Sequence, residues 1–401
     1  MLSNLSKTAT LIFVLLLCTT PCFPTATVSN TATNNTTAYV TIVSGTLSST
    51  MGYVIGALAL AESIALADPD RRRLCLVTAN TLPAARDLLK SSGLWEIVEL
   101  PPFYNSFNAA AAKEAEITSA DTDVARRSLT FTKLCLFDRH LRQLSDLFMF
   151  LFIDADAFVR QPFELKRVFD ERTSASQNFY PIAAARSIAF TPERCVIDSN
   201  GAKRCFSEER EFNTGVLFVV PGKALYDELG ILDNLYELGD ERRGAHHWKT
   251  DQAALNELLN YTLVTTLDAK YNTLMCCSFY DTRIRDAAQM AYVAHFSLSA
   301  PFKPWEMMRY EALVKLGVKT VLDYKRVGVT VPWFLEESVL HAVYNEWKGH
   351  VVKALNKLGK QVGVVERYML RERDFLDWEI KKMDDDSRYG THVPGDVHIH
   401  V

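Results

Sequence analysis

The chain has 401 residues, room for two to three domains at roughly 150 residues each or for one large domain with appendages. Hydrophobic residues make up 48%, charged residues 23% and aromatics 11%, a balance that excludes a disordered, collagenous or multi-spanning membrane chain. With 44 basic and 48 acidic residues the formal charge is −4, so no basic field recruits nucleic acid and an anionic ligand must be met by local groups.

Residues 1–24 carry one cation, Lys7, then an apolar run over 9–18, then Pro21 and Pro24. That run falls short of the roughly 20 residues a helix needs to span a membrane, which favours a cleaved secretory signal over a short signal anchor. Residues 25–37, rich in Thr, Asn, Ser and Ala, bury too little surface to fold and read as a solvated stem. Triplets beginning at Asn34, Asn35 and Asn260 are N-glycosylation sequons for a chain that enters the secretory pathway.

Residues 38–44 (AYVTIVS) read as a strand, 51–67 as a helix, 74–79 as a second strand, 82–92 as a helix with a Leu82, Leu88, Leu89 stripe, and 95–100 as a third strand. This alternation predicts a mostly parallel sheet with helices on both faces. Residues 130–144 read as an amphipathic helix leading into 147–153 (LFMFLFI), apolar throughout as in a strand buried on both faces. Further strands are expected at 181–185 and 214–220, and a helix at 251–260. Residues 306–401, dense in Lys, Glu and Arg, read as a C-terminal helical extension with a frayed tail, where His398 and His400 are surface residues.

Of eight cysteines, Cys18 and Cys22 fall in the signal. Cys75 and Cys135 lie inside apolar runs and read as small core residues. Cys195 and Cys205 bracket a turn-rich segment, so an oxidising lumen could join them in a local ring, the alternative being two free thiols. Cys276 and Cys277 complete the set, and no zinc spacing is present.

The chemistry concentrates at Asp154 and Asp156. Two carboxylates at i and i+2, where a buried strand ends, can hold one hard divalent cation that also takes phosphate oxygens. Open α/β sheets bind ligands at that end of their strands. Asp-x-Asp alone is unspecific, but two unpaired acids closing an apolar strand are costly unless something cationic balances them.

Residues 150–159 (FLFIDADAFV) resemble the Asp-x-Asp segment of the family 8 retaining glycosyltransferases, the family of glycogenin and bacterial galactosyltransferases. Other segments resemble that family in order: the opening strand at 38–43, Tyr53 with Gly56-Ala57-Leu58, Thr132-Lys133-Leu134 with Leu136-Phe137, Phe212-Asn213-Thr214-Gly215, Asp251-Gln252 with Leu255-Asn256, Tyr271-Asn272, and His295-Phe296 with Lys303-Pro304-Trp305. The resemblance spans residues 38–305 and implies a GT-A-like α/β catalytic domain moving a hexosyl group from a UDP-sugar to a glycan or glycoprotein.

The resemblance implies that Asp154, Asp156 and His295 hold Mn2+, a donor set suited to that metal. It places Lys303 on the diphosphate, with Asp154, Thr41, Val43, Tyr53 and Lys133 near the nucleotide sugar. Asn213, Asp251 and Gln252 would surround the donor sugar, Asp251 as a stabiliser of oxocarbenium character or as a nucleophile. The chain departs from the family's pattern in two places. Lys303 follows His295 by eight residues, with Leu298 or Ser299 where a glycine is usual, and Arg186 stands where an acid is common. The insert at 188–211 lies where acceptor loops are expected.

Two other readings compete. A haloacid-dehalogenase-type phosphatase would use Asp154 as nucleophile and Asp156 as acid, but Phe158 replaces its usual Thr or Val, and only the 384–386 acid run could supply its later pair. A catalytically silent lumenal protein could keep the fold and bind UDP-sugar or glycan.

Overall fold

The computed structural model describes residues 37–44, 49–79, 81–101, 131–174, 181–186, 195–197, 203–205, 212–231, 251–259, 264–275, 290–297, 303–315, 338–358 and 365. The expected signal, the expected stem before Thr37, the acceptor residues Asn34, Asn35 and Asn260, Cys18, Cys22, Cys276, Cys277, most of the 188–211 insert, residues 384–386, His398 and His400 lie outside the described residues.

β-branched and aromatic runs supply β1 (Thr37–Val43), β2 (Arg72–Val77), β3 (Glu96–Glu99), β4 (Met149–Ile153), β6 (Ile182–Arg186), β9 (Phe212–Val219) and β10 (Thr265–Leu267). They form a seven-stranded sheet in the order β10-β6-β9-β4-β1-β2-β3. β9 alone runs against its neighbours β4 and β6; the other pairings are parallel. Tyr39, Val43, Met149, Leu151 and Ile153 enter one core. Ala38, Val40, Phe150 and Phe152 enter the other. The apolar run of β4 is thus explained: both faces of the sheet are covered, as expected for a GT-A-like fold.

Three short strands make a second sheet: β5 (Ala157–Val159), β11 (Thr273–Leu274) and β12 (Val293–His295), in the order β11-β12-β5. A third, two-stranded ribbon of β7 (Cys195–Ile197) and β8 (Lys203–Cys205) sets Cys195 opposite Cys205 in antiparallel register. Cys75 and Cys135 are free and buried, as their apolar surroundings predict.

Helix α1 (Ser49–Ala65) is buried on nearly every side. A helix that is apolar all round needs cover on both flanks, and the cover comes from far along the chain. α2 (Pro83–Ser92) follows β2, and α3 (Arg142–Ser145), α4 (Pro162–Ser174), α5 (Asp251–Leu258) and α6 (Pro304–Lys315) precede α7 (Ser338–Leu358). Val343, Tyr344, Trp347, Val351, Ala354, Leu355 and Leu358 of α7 join the same core as α1. Ion pairs fix the packing: Lys357 to Glu62 of α1, Arg160 to Glu346 through two contacts of 2.6 and 2.7 Å, and Lys348 to Glu311 of α6 at 2.9 Å. Helix α7 therefore packs into the same core as α1.

The helix expected over 130–144 is a 3-10 segment, Phe131–Phe137, followed by the single turn of α3. Asp138 causes the break, because its Oδ1 accepts from the His140 N–H at 2.7 Å and offers the backbone a turn instead of a helical bond.

Candidate active site

The carboxyl end of β4 and the amino end of β9 meet because the two strands are antiparallel. Ile153 pairs with Val216, and the Asp154 N–H donates to Gly215 O at 2.8 Å. Asn213, Thr214 and Gly215 therefore lie beside Asp154. α5 starts at the same place. Its Asn256 grips Phe212 through both backbone groups, accepting from N–H at 2.8 Å and donating to O at 2.9 Å, which fixes Asp251 and Gln252 at the helix entrance. On the other flank β12 pairs with β5, His295 opposite Ala157, and the Phe296 N–H donates to Asp156 O at 2.9 Å.

These strand ends bring ligand atoms of Asp154, Asp156 and His295 within 4.8 Å of one another. His295 Nε2 is 3.2 Å from Asp156 Oδ1 and 3.9 Å from Asp154 Oδ2. Two carboxylates and an imidazole are a donor set that could hold a divalent cation. His295 is turned toward the acids by Asn272, whose Oδ1 meets Nδ1 at 2.8 Å. Asn272 Nδ2 donates to Asn213 Oδ1 at 2.7 Å, and Asn213 Nδ2 donates to Gln252 Oε1 at 3.0 Å.

Two lysines complete the cluster. Lys133 Nζ lies 3.0 Å from Asp154 Oδ2, 3.1 Å from Asp251 Oδ2 and 3.4 Å from Thr214 Oγ1. Thr214 Oγ1 donates to Asp251 Oδ2 at 2.8 Å. Lys303 Nζ donates to Asp156 Oδ2 and, at 2.8 Å, to Phe296 O. The longer interval after His295 thus still brings this lysine to the acids. Lys303 also stands 5.9 Å from the Tyr53 ring centre and 6.0 Å from that of Trp305, rings that pack 4.8 Å apart.

Three carboxylates face two ammonium groups here, leaving one negative charge for a cation to reverse. Burial acts to raise Asp156, but Lys303 and His295 outweigh it and hold the carboxyl well below its usual range. Asp154 is pushed upward, first by burial, with Lys133 opposing and Asp156 adding repulsion. Burial acts to lower Lys133, and Asp154 and Asp251 overcome it, so the ammonium is held charged.

Thr41 and Val43 sit at the end of β1, both buried. Thr41 Oγ1 has no hydrogen-bond partner among the described residues, while Val43 O accepts from Thr81 Oγ1 at 3.2 Å. Tyr53 is half-buried on α1. The Arg186 backbone closes β6 beyond a bulge.

Asn272 was not singled out from the sequence as a site residue, although the Tyr271-Asn272 pair marked its place. Two glycines set the site's depth. A Cβ on Gly56 would lie 2.0 Å from Ala155 O and 2.9 Å from Trp305, so only glycine lets α1 approach the Asp-x-Asp turn this closely. A Cβ on Gly52 would strike the same indole.

The sequence model of glycosyl transferase family 8 matches residues 46–309, well over half of the chain. No curated protein matches significantly. Among solved structures the chain is similar to the WbbM bifunctional glycosyltransferase at 15% identity and a TM-score of 0.45, covering 77% of this chain and 52% of that one. It is similar to an active-site mutant of LgtC at 17% identity and a TM-score of 0.43, covering 67% and 89%. For mouse xyloside xylosyltransferase 1 the values are 14%, 0.40, 66% and 98%. The chain spans about half the length of WbbM.

Proposed function

The chain belongs to glycosyltransferase family 8, and from that premise we propose that it transfers a hexosyl group from a UDP-sugar to a glycan or glycoprotein acceptor, with Mn2+ and with retention of configuration. The observation that carries this reading is the convergence of Asp154, Asp156 and His295 within 4.8 Å at the carboxyl end of β4, between Lys133 and Lys303. Family membership sets the phosphatase reading aside.

Asp154, Asp156 and His295 would hold the metal, which when bound supplies positive charge against the departing diphosphate. Lys303 is the residue to share that charge, since its partner Asp156 would also be a metal ligand and the ammonium lies beside the Tyr53 and Trp305 rings. Lys133 restrains Asp154 and Asp251 together, so the metal side and the sugar side of the site keep a fixed separation. Asp251 and Gln252 are the groups for the donor's reactive face, Asp251 as stabiliser of oxocarbenium character or as nucleophile.

We place the protein in the secretory lumen, Golgi or ER, or outside the cell, on the signal-like pattern of residues 1–24 and the sequons. Any membrane attachment would run through that segment alone. Among the described residues no helix is long and apolar enough to cross a membrane.

Proton NMR of donor turnover tests the reading. Initial release or transfer of the donor's own anomer supports retention, and the opposite anomer overturns it. Mn2+-dependent UDP binding with no turnover of any donor, acceptors included, would favour the silent binding protein.

A further inference from the structure

Behind the acidic cluster lies a hydrogen-bond network whose direction follows from one backbone atom. The Gly215 N–H can only donate, and it meets Asn213 Oδ1 at 2.8 Å. The Asn213 atom there is thus the amide oxygen. Its Nδ2 is then left to donate to Gln252 Oε1 at 3.0 Å, which closes the alternative in which the amide is flipped. The Asn272 group touching the same Asn213 oxygen, at 2.7 Å, must be a donor, Nδ2. That turns Asn272 Oδ1 toward His295 Nδ1, 2.8 Å away, and an oxygen acceptor requires the proton on Nδ1. Asn213, Asn272 and His295 are all at most 8% exposed, so water offers no easy substitute for these bonds.

We propose that Asn272 is a positioning residue that holds His295 with Nδ1 protonated, so that Nε2 is the nitrogen given to a metal shared with Asp154 and Asp156. The backbone fixes the arrangement as well. Asn272 directly precedes β11, whose Leu274 pairs with His295 of β12, so the register that builds the small sheet also sets the amide behind the ring. A metal-bound histidine whose other nitrogen is held by an outer acceptor keeps its ring orientation and basicity, and loss of such a partner weakens metal binding by about 10- to 100-fold. This inference rests on the metal reading of the site.

The test uses full-length protein with 15N-labelled histidine, with wild type compared against Asn272→Leu and Asn272→Asp. In metal-free protein, where Asp156 Oδ1 at 3.2 Å can also accept from Nε2, two-bond proton–nitrogen correlations are expected to show a proton on His295 Nδ1 in wild type and in Asn272→Asp, which keeps an acceptor there. In Asn272→Leu the proton is expected to move to Nε2, facing Asp156. Mn2+ affinity, read from the free Mn2+ resonance signal, is expected to fall at least tenfold in Asn272→Leu and by less in Asn272→Asp, whose carboxylate keeps the acceptor for Nδ1 but loses the donor to Asn213. A wild-type Nε2–H tautomer overturns the proposal, as does an Asn272→Leu protein that keeps both the tautomer and the affinity. Should Asn272→Leu not fold, the wild-type spectrum still decides. Failure of every protein to bind Mn2+ would overturn the metal reading, while the metal-free spectra would still judge Asn272.

Discussion

Replacing Gly215 by alanine is expected to disable the metal site without altering a ligand. The new Cβ would lie 2.2 Å from His295 Cε1, 2.6 Å from its Nδ1 and 2.9 Å from Asn213 Oδ1. Non-bonded carbons rest about 3.5–4.0 Å apart, so the ring must retreat by roughly 1.3 Å. It has little room to turn aside, being buried, bonded to Asn272 and carried on a strand paired with Ala157. Retreat draws Nε2 from the acids; the alternative is to bend β9 where Gly215 O receives the Asp154 N–H. Overpacking of this kind costs about 1–3 kcal/mol, or a melting point lower by roughly 2–12 °C in a domain of this size. Mn2+ affinity is expected to fall about tenfold or more. Calorimetric Mn2+ titration and a thermal melt read both effects, with Gly349→Ala as control, since a Cβ there meets nothing within 4 Å. A Gly215→Ala protein that binds Mn2+ and melts like wild type would refute the packing of His295 on β9.

Three further outcomes are expected. Trp347, fully buried in the α1 core, should cost about 3–5 kcal/mol as Trp347→Ala in urea unfolding. Trp347→Phe should cost less, because the indole N–H has no partner among the described residues; an unchanged unfolding curve for the alanine variant would make α7 a separable appendage. Burial, helped by Lys353 and opposed by Glu346, holds His350 down to about 4, beside the Phe158 ring. The unfolded imidazole titrates near 6.5, so between roughly pH 6.5 and 4 the unfolded chain binds a proton that the fold refuses. Stability should therefore fall as pH drops through that window, by at most about 3 kcal/mol, and His350→Leu should flatten this part of the pH–stability curve; an identical slope in the variant would exclude His350 as its source. The antiparallel register of Cys195 and Cys205 is expected to yield one disulfide in protein made in an oxidising compartment. Peptide mapping after alkylation without reductant reads it, and alkylation of both thiols would contradict the pairing.

The sequence made the centre of the sheet legible because β4 is apolar at every position, a pattern that only a doubly covered strand needs, and because two acids end it. Longer-range facts were hidden. Helix α1 signalled its burial by having no polar face, but nothing local says that its outer cover is α7, almost 300 residues on. The break in the 130–144 helix turned on one side chain, Asp138, capturing a backbone N–H that periodicity ignores. Metal candidates were found through residue types, whereas Asn272 acts only through His295 and its chemistry shows only when the amides are traced to the Gly215 N–H. Lys303 reads from sequence as a cation after an interval of uncertain path; its burial against Asp156 and Phe296 O depends on Trp305 wedging against Gly52 and Gly56.

The most direct measurement is UDP release by the purified protein from a panel of UDP-sugars, with and without Mn2+, alongside Asp156→Ala. Mn2+-dependent release from one donor, lost in the variant, is the predicted result and names the sugar. No binding of UDP in calorimetry, with Mn2+ or without it, would contradict the assignment of this site to sugar-nucleotide transfer.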